Sequence, residues 1–97
     1  MNSKIKDEHI DRLFEGILNL KTVDECYNFF EDVCTISEIK AMAQRFQVAI
    51  MLHQNNKYTD ITEKTGASPA TISRVSRCLN YGADGYMTVL KRLFDKK

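Results

Sequence analysis

The chain has 97 residues, 43% of them hydrophobic, with one proline, no tryptophan and a formal net charge of +1. That length allows one domain near the lower end of what buries a stable core alone, and the hydrophobic share excludes a disordered chain. No apolar run approaches the roughly 20 residues of a membrane span, and the charged, polar start lacks a signal-peptide pattern, so a cytoplasmic protein without membrane contact is expected.

Residues 1–6 form a polar lead-in. Over residues 7–20, Ile10, Leu13, Phe14, Ile17 and Leu18 recur at helical spacing. Lys21-Thr22 breaks that pattern, and Thr22 with Glu25 makes a capping box for a second helix carrying Cys26, Phe29, Phe30 and Val33. Thr35 with Glu38 repeats the box before a longer third helix, to about residue 53, whose apolar set includes Ile39, Met42, Phe46, Ala49 and Ile50. A polar turn at residues 54–57 separates it from a short helix carrying Ile61. A final amphipathic helix over residues 85–95 uses Tyr86, Val89, Leu90, Leu93 and Phe94, after a break over residues 81–85 that contains two glycines. No strand-like alternation appears. The fold class predicted is all-α with six helices.

The most specific pattern lies at residues 58–79, which read as a helix-turn-helix. Gly66 supplies a left-handed residue that ends the first helix. Ser68 can cap the second, and Pro69 stands at its first position, where a missing N–H costs nothing. Ile72 and Val75, three apart, face back onto Ile61. The remaining face holds Ala70, Thr71, Ser73, Arg74 and Arg77, with no acid among them. Such a helix suits the DNA major groove, about 12 Å wide and lined by donors, acceptors and thymine methyls. Base contacts are expected from Ala70, Thr71, Ser73 and Arg77, phosphate contact from Ser68, and backbone contact from Thr59 and Lys64 in the preceding helix. A scaffold corner with a solvated arginine face is the bland alternative.

The net charge conceals an asymmetry. Residues 1–35 hold four Lys/Arg against eight acids, and residues 36–97 hold ten against five. Phosphate affinity follows the local charge of the docking face, which assigns DNA contact to the C-terminal half. Cys26, Cys34 and Cys78 show no metal-type spacing, and an odd count without an export signal reads as reduced thiols. No phosphate loop, dinucleotide glycine pattern or HExxH appears, so no enzyme and no metal are expected. Six helices, three of them rich in aliphatic and aromatic residues, carry more apolar surface than so short a chain hides, so residues 7–53 are expected to be dimerisation helices of a homodimer with Leu13, Phe14, Ile17, Phe29 and Phe30 in its interface. Its two recognition helices would meet a palindromic operator about one DNA turn (~34 Å) apart.

These residues carry a family resemblance. Residues 35–66 followed by Ala67-Ser-Pro-Ala-Thr-Ile-Ser-Arg74 resemble the Trp repressor family, whose recognition core reads Ala-Thr-Ile-Thr-Arg. The tail from Ser73 through Asn-Tyr-Gly-Ala-Asp-Gly to Tyr86 is similar to the YerC/YecD-like branch of bacterial relatives. The resemblance covers about residues 10–95. It implies an intertwined homodimer acting as a transcriptional repressor, with L-tryptophan as effector. Of the two arginines that hold tryptophan in the family, Arg74 matches the one on the recognition helix. Arg45 matches the other if one residue is deleted near residues 54–57, and Gln44 stands there otherwise. Carbonyls near the start of the third helix, around Thr35, would take the ammonium group. Where the family has a glycine after the recognition-helix arginine, leaving room for the indole, this chain has Val75, which reads as doing the packing itself.

A dimeric DNA-binding repressor is therefore the leading reading, with no cofactor or with L-tryptophan. The alternative is the DNA-end-recognition module of a mobile-element transposase. The acidic, aromatic-rich N-terminal helices and the absence of heptads after the motif count against it. A protein-interaction adaptor is a third class, separated from both by salt-dependent binding to duplex DNA.

Overall fold

A computed structural model describes residues 3–95. Six α-helices follow in order, α1 (Glu8–Ile17), α2 (Val23–Val33), α3 (Ile36–His53), α4 (Tyr58–Thr65), α5 (Pro69–Tyr81) and α6 (Gly85–Phe94), with no strand among the described residues. They divide into two compact units, one ending at Ile36 and the other beginning at Ser37. Among the described residues, no helix is long and apolar enough to cross a membrane.

In the first unit, Asp7 caps α1 by accepting from the N–H groups of His9 and Ile10, and Lys6 pairs with Asp11 in the first turn. The apolar periodicity runs to residue 20, yet the helix stops at Ile17. Asn19 Nδ2 donates to Glu15 O at 2.7 Å, taking a carbonyl from the last turn. The N–H groups of Asn19 and Leu20 then close onto Gly16 and Ile17, three residues back, in a 3₁₀-like tail. Thr22 caps α2 by accepting from Glu25 N at 3.0 Å. The return arm of the box is displaced by one residue, because Glu25 Oε1 accepts from Lys21 N at 2.8 Å. Neither α1 nor α2 contains a buried residue.

The second unit holds the buried core. Val48, Ala49 and Met51 of α3 join Ile61 of α4, Ala67 of the turn, Ile72 and Val75 of α5, and Leu90 of α6 in one apolar cluster. These are the positions that helical spacing directs to one face of each element. At the far end, His53 Nε2 faces the Asp95 carboxylate at 3.4 Å, linking the end of α3 to the residue that closes α6.

The break after α5 departs from the simplest expectation. Gly82 keeps a negative φ of −86° and Gly85 is already helical, while the left-handed residue is Asp84, with φ 65°. Gly82 is required for space: a Cβ there would lie 2.4 Å from Cys78 O. Gly66 is required for conformation, since its φ is +71° although a Cβ at that position would meet nothing within 4 Å. Two substitutions separate these causes. Gly66→Ala should cost about 1–2 kcal/mol through the left-handed backbone alone, with the helices otherwise unchanged. Gly82→Ala should cost more and shift the backbone between α5 and α6. Urea unfolding and amide chemical shifts measure both, and a Gly66→Ala protein as stable as wild type would refute the first.

Candidate nucleic-acid interface

α4 and α5 are joined by a turn that local chemistry fixes closely. Gly66 ends α4 in the left-handed conformation, with its N–H bonded to Thr62 O. Thr65 Oγ1 donates to Ile61 O at 2.7 Å and accepts from Ala67 N at 3.1 Å, so one hydroxyl spans the turn. From α3, Gln44 Nε2 donates to Thr65 O at 3.1 Å. This tie satisfies a carbonyl at the end of α4 and fixes that helix to the long α3. On the other side, Ser68 caps α5, its Oγ accepting from Thr71 N at 3.2 Å, and Pro69 occupies the first turn.

The buried side of the motif is apolar. Ile61 and Ile72 are fully buried, and Ala67 and Val75 are each 1% exposed. The opposite side carries the residues singled out in the sequence. Thr59, Lys64, Ser68, Pro69, Ala70, Ser73, Arg74 and Arg77 are all exposed, and Thr71 is half-buried. Pro69, Ala70 and Ser73 stand along the first half of α5, with Arg74 and Arg77 following. No acid occurs anywhere in α5, and the last turn of α4 carries Lys64. Among the described residues, none of these three cations takes part in an ion pair. Between the two helices lies a shallow groove of about 320 Å³ lined by Tyr58, Thr59, Thr62, Pro69 and Ile72.

One detail alters the expected role of Ser68. Its Oγ lies 3.1 Å from Thr71 Oγ1 and donates to it while accepting the Thr71 N–H. The Ser68 hydroxyl is thus turned onto its own helix, and the outward donor of the pair is the Thr71 hydroxyl. The residues assigned to a ligand lie at the surface of the single chain. Arg45 and Arg74 are exposed on α3 and α5, and Thr35 lies exposed in the first unit. Among the described residues no cluster of His, Cys, Asp or Glu could hold a metal ion. Sequence reasoning missed Gln44 and Thr65 as the fasteners of the turn. Thr65 had a local signal, a hydroxyl residue just before a helix-ending glycine. Gln44 lies 21 residues away and had none.

The chain matches known proteins over nearly its whole length. The family described as Trp repressor protein matches residues 8–94. A Bacillus subtilis (strain 168) protein, described as the uncharacterised protein YerC, is 54% identical over 90 residues, covering 93% of this chain and 86% of its own. The crystal structure of a TrpR-like protein from Eubacterium eligens ATCC 27750 superposes with a TM-score of 0.89 at 60% identity, covering 95% of each chain. That of a candidate Trp repressor from Staphylococcus aureus gives 0.89 at 45% identity, covering 97% of this chain and 94% of its own. The six-helix architecture without strands is therefore that of TrpR-like proteins.

The Gln44 tie generates a prediction. Gln44→Ala should destabilise the second unit by about 0.5–1.5 kcal/mol, the net worth of one hydrogen bond, and should selectively raise amide exchange at Gly66 and Ala67. Denaturant unfolding and hydrogen exchange measure this, and unchanged protection of the turn would refute it.

Proposed function

We propose that this chain, which belongs to the Trp repressor family in its YerC-like branch, is a sequence-specific DNA-binding transcription regulator that acts as a homodimeric repressor on a palindromic operator. The observation that carries this reading is α5. One side of it is sealed into the core through Ile72 and Val75, and the other presents Ala70, Ser73, Arg74 and Arg77 to solvent without an acid. Small side chains permit close approach to base edges and thymine methyls, and arginine can meet guanine bidentately. Lys64, and the Thr71 hydroxyl beside the α5 N-terminus, are suited to phosphates. Such a partner places the protein with the chromosome in the cytoplasm.

The dimer is supported by what a single chain leaves uncovered. Leu13, Phe14, Leu18, Val23 and Tyr27 of the first unit are 38%, 48%, 83%, 71% and 67% exposed, and Ile17, Phe29 and Phe30 are only half-buried. The second unit has an open apolar groove of about 470 Å³ lined by Phe46, Cys78, Ala83, Gly85, Tyr86 and Val89. Isolated apolar side chains on a surface are ordinary, but contiguous apolar faces mark association. An interface covering both would fall among permanent dimers, above roughly 2,000 Å².

Selection of bound duplexes from a random library by the purified protein tests the DNA reading, with recovery of a palindromic motif expected. On a selected site, Arg77→Ala should cost about 1–3 kcal/mol if it reads a base, or lower the salt slope by about one if it meets a phosphate. Ala70→Glu should abolish binding while leaving the fold intact. Retention of full affinity by Ala70→Glu would refute the placement of α5 in the groove. For the dimer, the unfolding midpoint should rise with protein concentration, and light scattering should give twice the chain mass. A monomer at micromolar concentration would refute it.

A further inference from the structure

The family description implies L-tryptophan as an effector, and the residues of the second unit do not fit it. A free amino acid brings a carboxylate, an ammonium group and a side chain, so its site needs charged or hydrogen-bonding groups converging on one enclosed cavity. Here Arg74 and Arg45 are both exposed, and neither lines the groove between α3, α5 and α6 or the one between α4 and α5. Gln44, the alternative to Arg45, has its amide engaged with Thr65 O. The larger groove is lined by Phe46, Cys78, Ala83, Gly85, Tyr86 and Val89, which offer no charge to either end of an amino acid.

The residue after Arg74 occupies the interior itself. Val75 is 1% exposed and belongs to the same buried cluster as Val48, Ile61, Ile72 and Leu90. α5 is therefore held from beneath by two of its own side chains, Ile72 and Val75. It is held at its start by the Thr65 bridge and the Gln44 tie on the turn before it.

We propose that this chain fixes its recognition helix through its own side chains, the buried Ile72 and Val75 together with the Thr65 and Gln44 hydrogen bonds, so that its DNA affinity is independent of L-tryptophan. The clause on affinity rests on the DNA-binding reading, whereas the packing and the lack of a tryptophan site do not. Ligand control, if the protein has any, would then act through a surface other than the underside of α5.

The 97-residue chain contains no tryptophan, so the fluorescence of added L-tryptophan is read without indole background. Titration with the protein should give no saturable blue shift, and L-tryptophan should leave the unfolding midpoint unchanged. On a selected duplex, coupled effectors usually change affinity about 5- to 150-fold, and here the change should be less than about twofold. A saturable blue shift at micromolar protein that Arg74→Ala abolishes, or a tenfold tightening of the duplex complex by L-tryptophan, would overturn the proposal. Should the protein bind no duplex under either condition, the DNA-binding reading falls, while the fluorescence titration still decides this one. Val75→Ala checks the packing separately. It should stay helical by circular dichroism, unfold at a clearly lower midpoint and remain indifferent to tryptophan. A Val75→Ala protein that melts as wild type would remove the valine from its proposed role.

Discussion

The seam between α5 and the rest of the second unit is the constraint on which the remainder depends. Ile72 and Val75 lie one turn apart on α5 and are buried together against Ile61, Val48 and Leu90. Each such side chain contributes about 1.5–3 kcal/mol when removed from water. A seam of this kind also fixes rotation, since turning α5 by one residue would expose Val75 and bury Arg74. The arginine could not follow into an apolar interior without a partner. The cost of burying a charge thus enforces which face of the helix looks outward. Presentation of Ala70, Ser73, Arg74 and Arg77 follows from packing on the opposite side.

Precision along the helix axis has a different source. Apolar contacts are non-directional, so the seam alone would tolerate sliding of α5 against α4. The turn resists that through directed hydrogen bonds. The Thr65 hydroxyl donates back into α4 and accepts from Ala67, while Ser68 holds the start of α5 through Thr71 N. Gln44 carries this local order to α3. Packing therefore sets the outward face of α5, and polar fasteners set its register.

The helix-turn-helix is legible in the sequence because its determinants are local: Gly66, Ser68 and Pro69 act on their immediate neighbours, and Ile72 and Val75 show themselves by spacing. The departures from expectation involve competition for the same backbone group. Apolar periodicity carries α1 to residue 20, but the Asn19 side chain takes the Glu15 carbonyl first. The Thr22/Glu25 box is legible as a pair, yet Glu25 reaches Lys21 N in place of the cap's own N–H. The sequence shows only a break with two glycines, whereas the left-handed residue there is Asp84 and Gly82 serves close approach. Among the site residues, exposure of the α5 face follows from periodicity. The turning of Ser68 onto Thr71 depends on rotamers, which spacing does not encode.

Charge adds a constraint that neither unit expresses alone. The first 35 residues carry twice as many acids as cations, and the remainder carries twice as many cations as acids. An acid-rich surface repels a polyanion, whereas a cation-rich one attracts it. The same repulsion narrows what the exposed apolar side chains of α1 and α2 can meet. Leu13, Phe14 and Tyr27 stand among Asp11, Glu15, Asp24 and Glu31 in sequence, so a phosphate backbone is an unfavourable cover for them. A protein surface with an apolar centre is a favourable one, and the acids at its edge can remain hydrated.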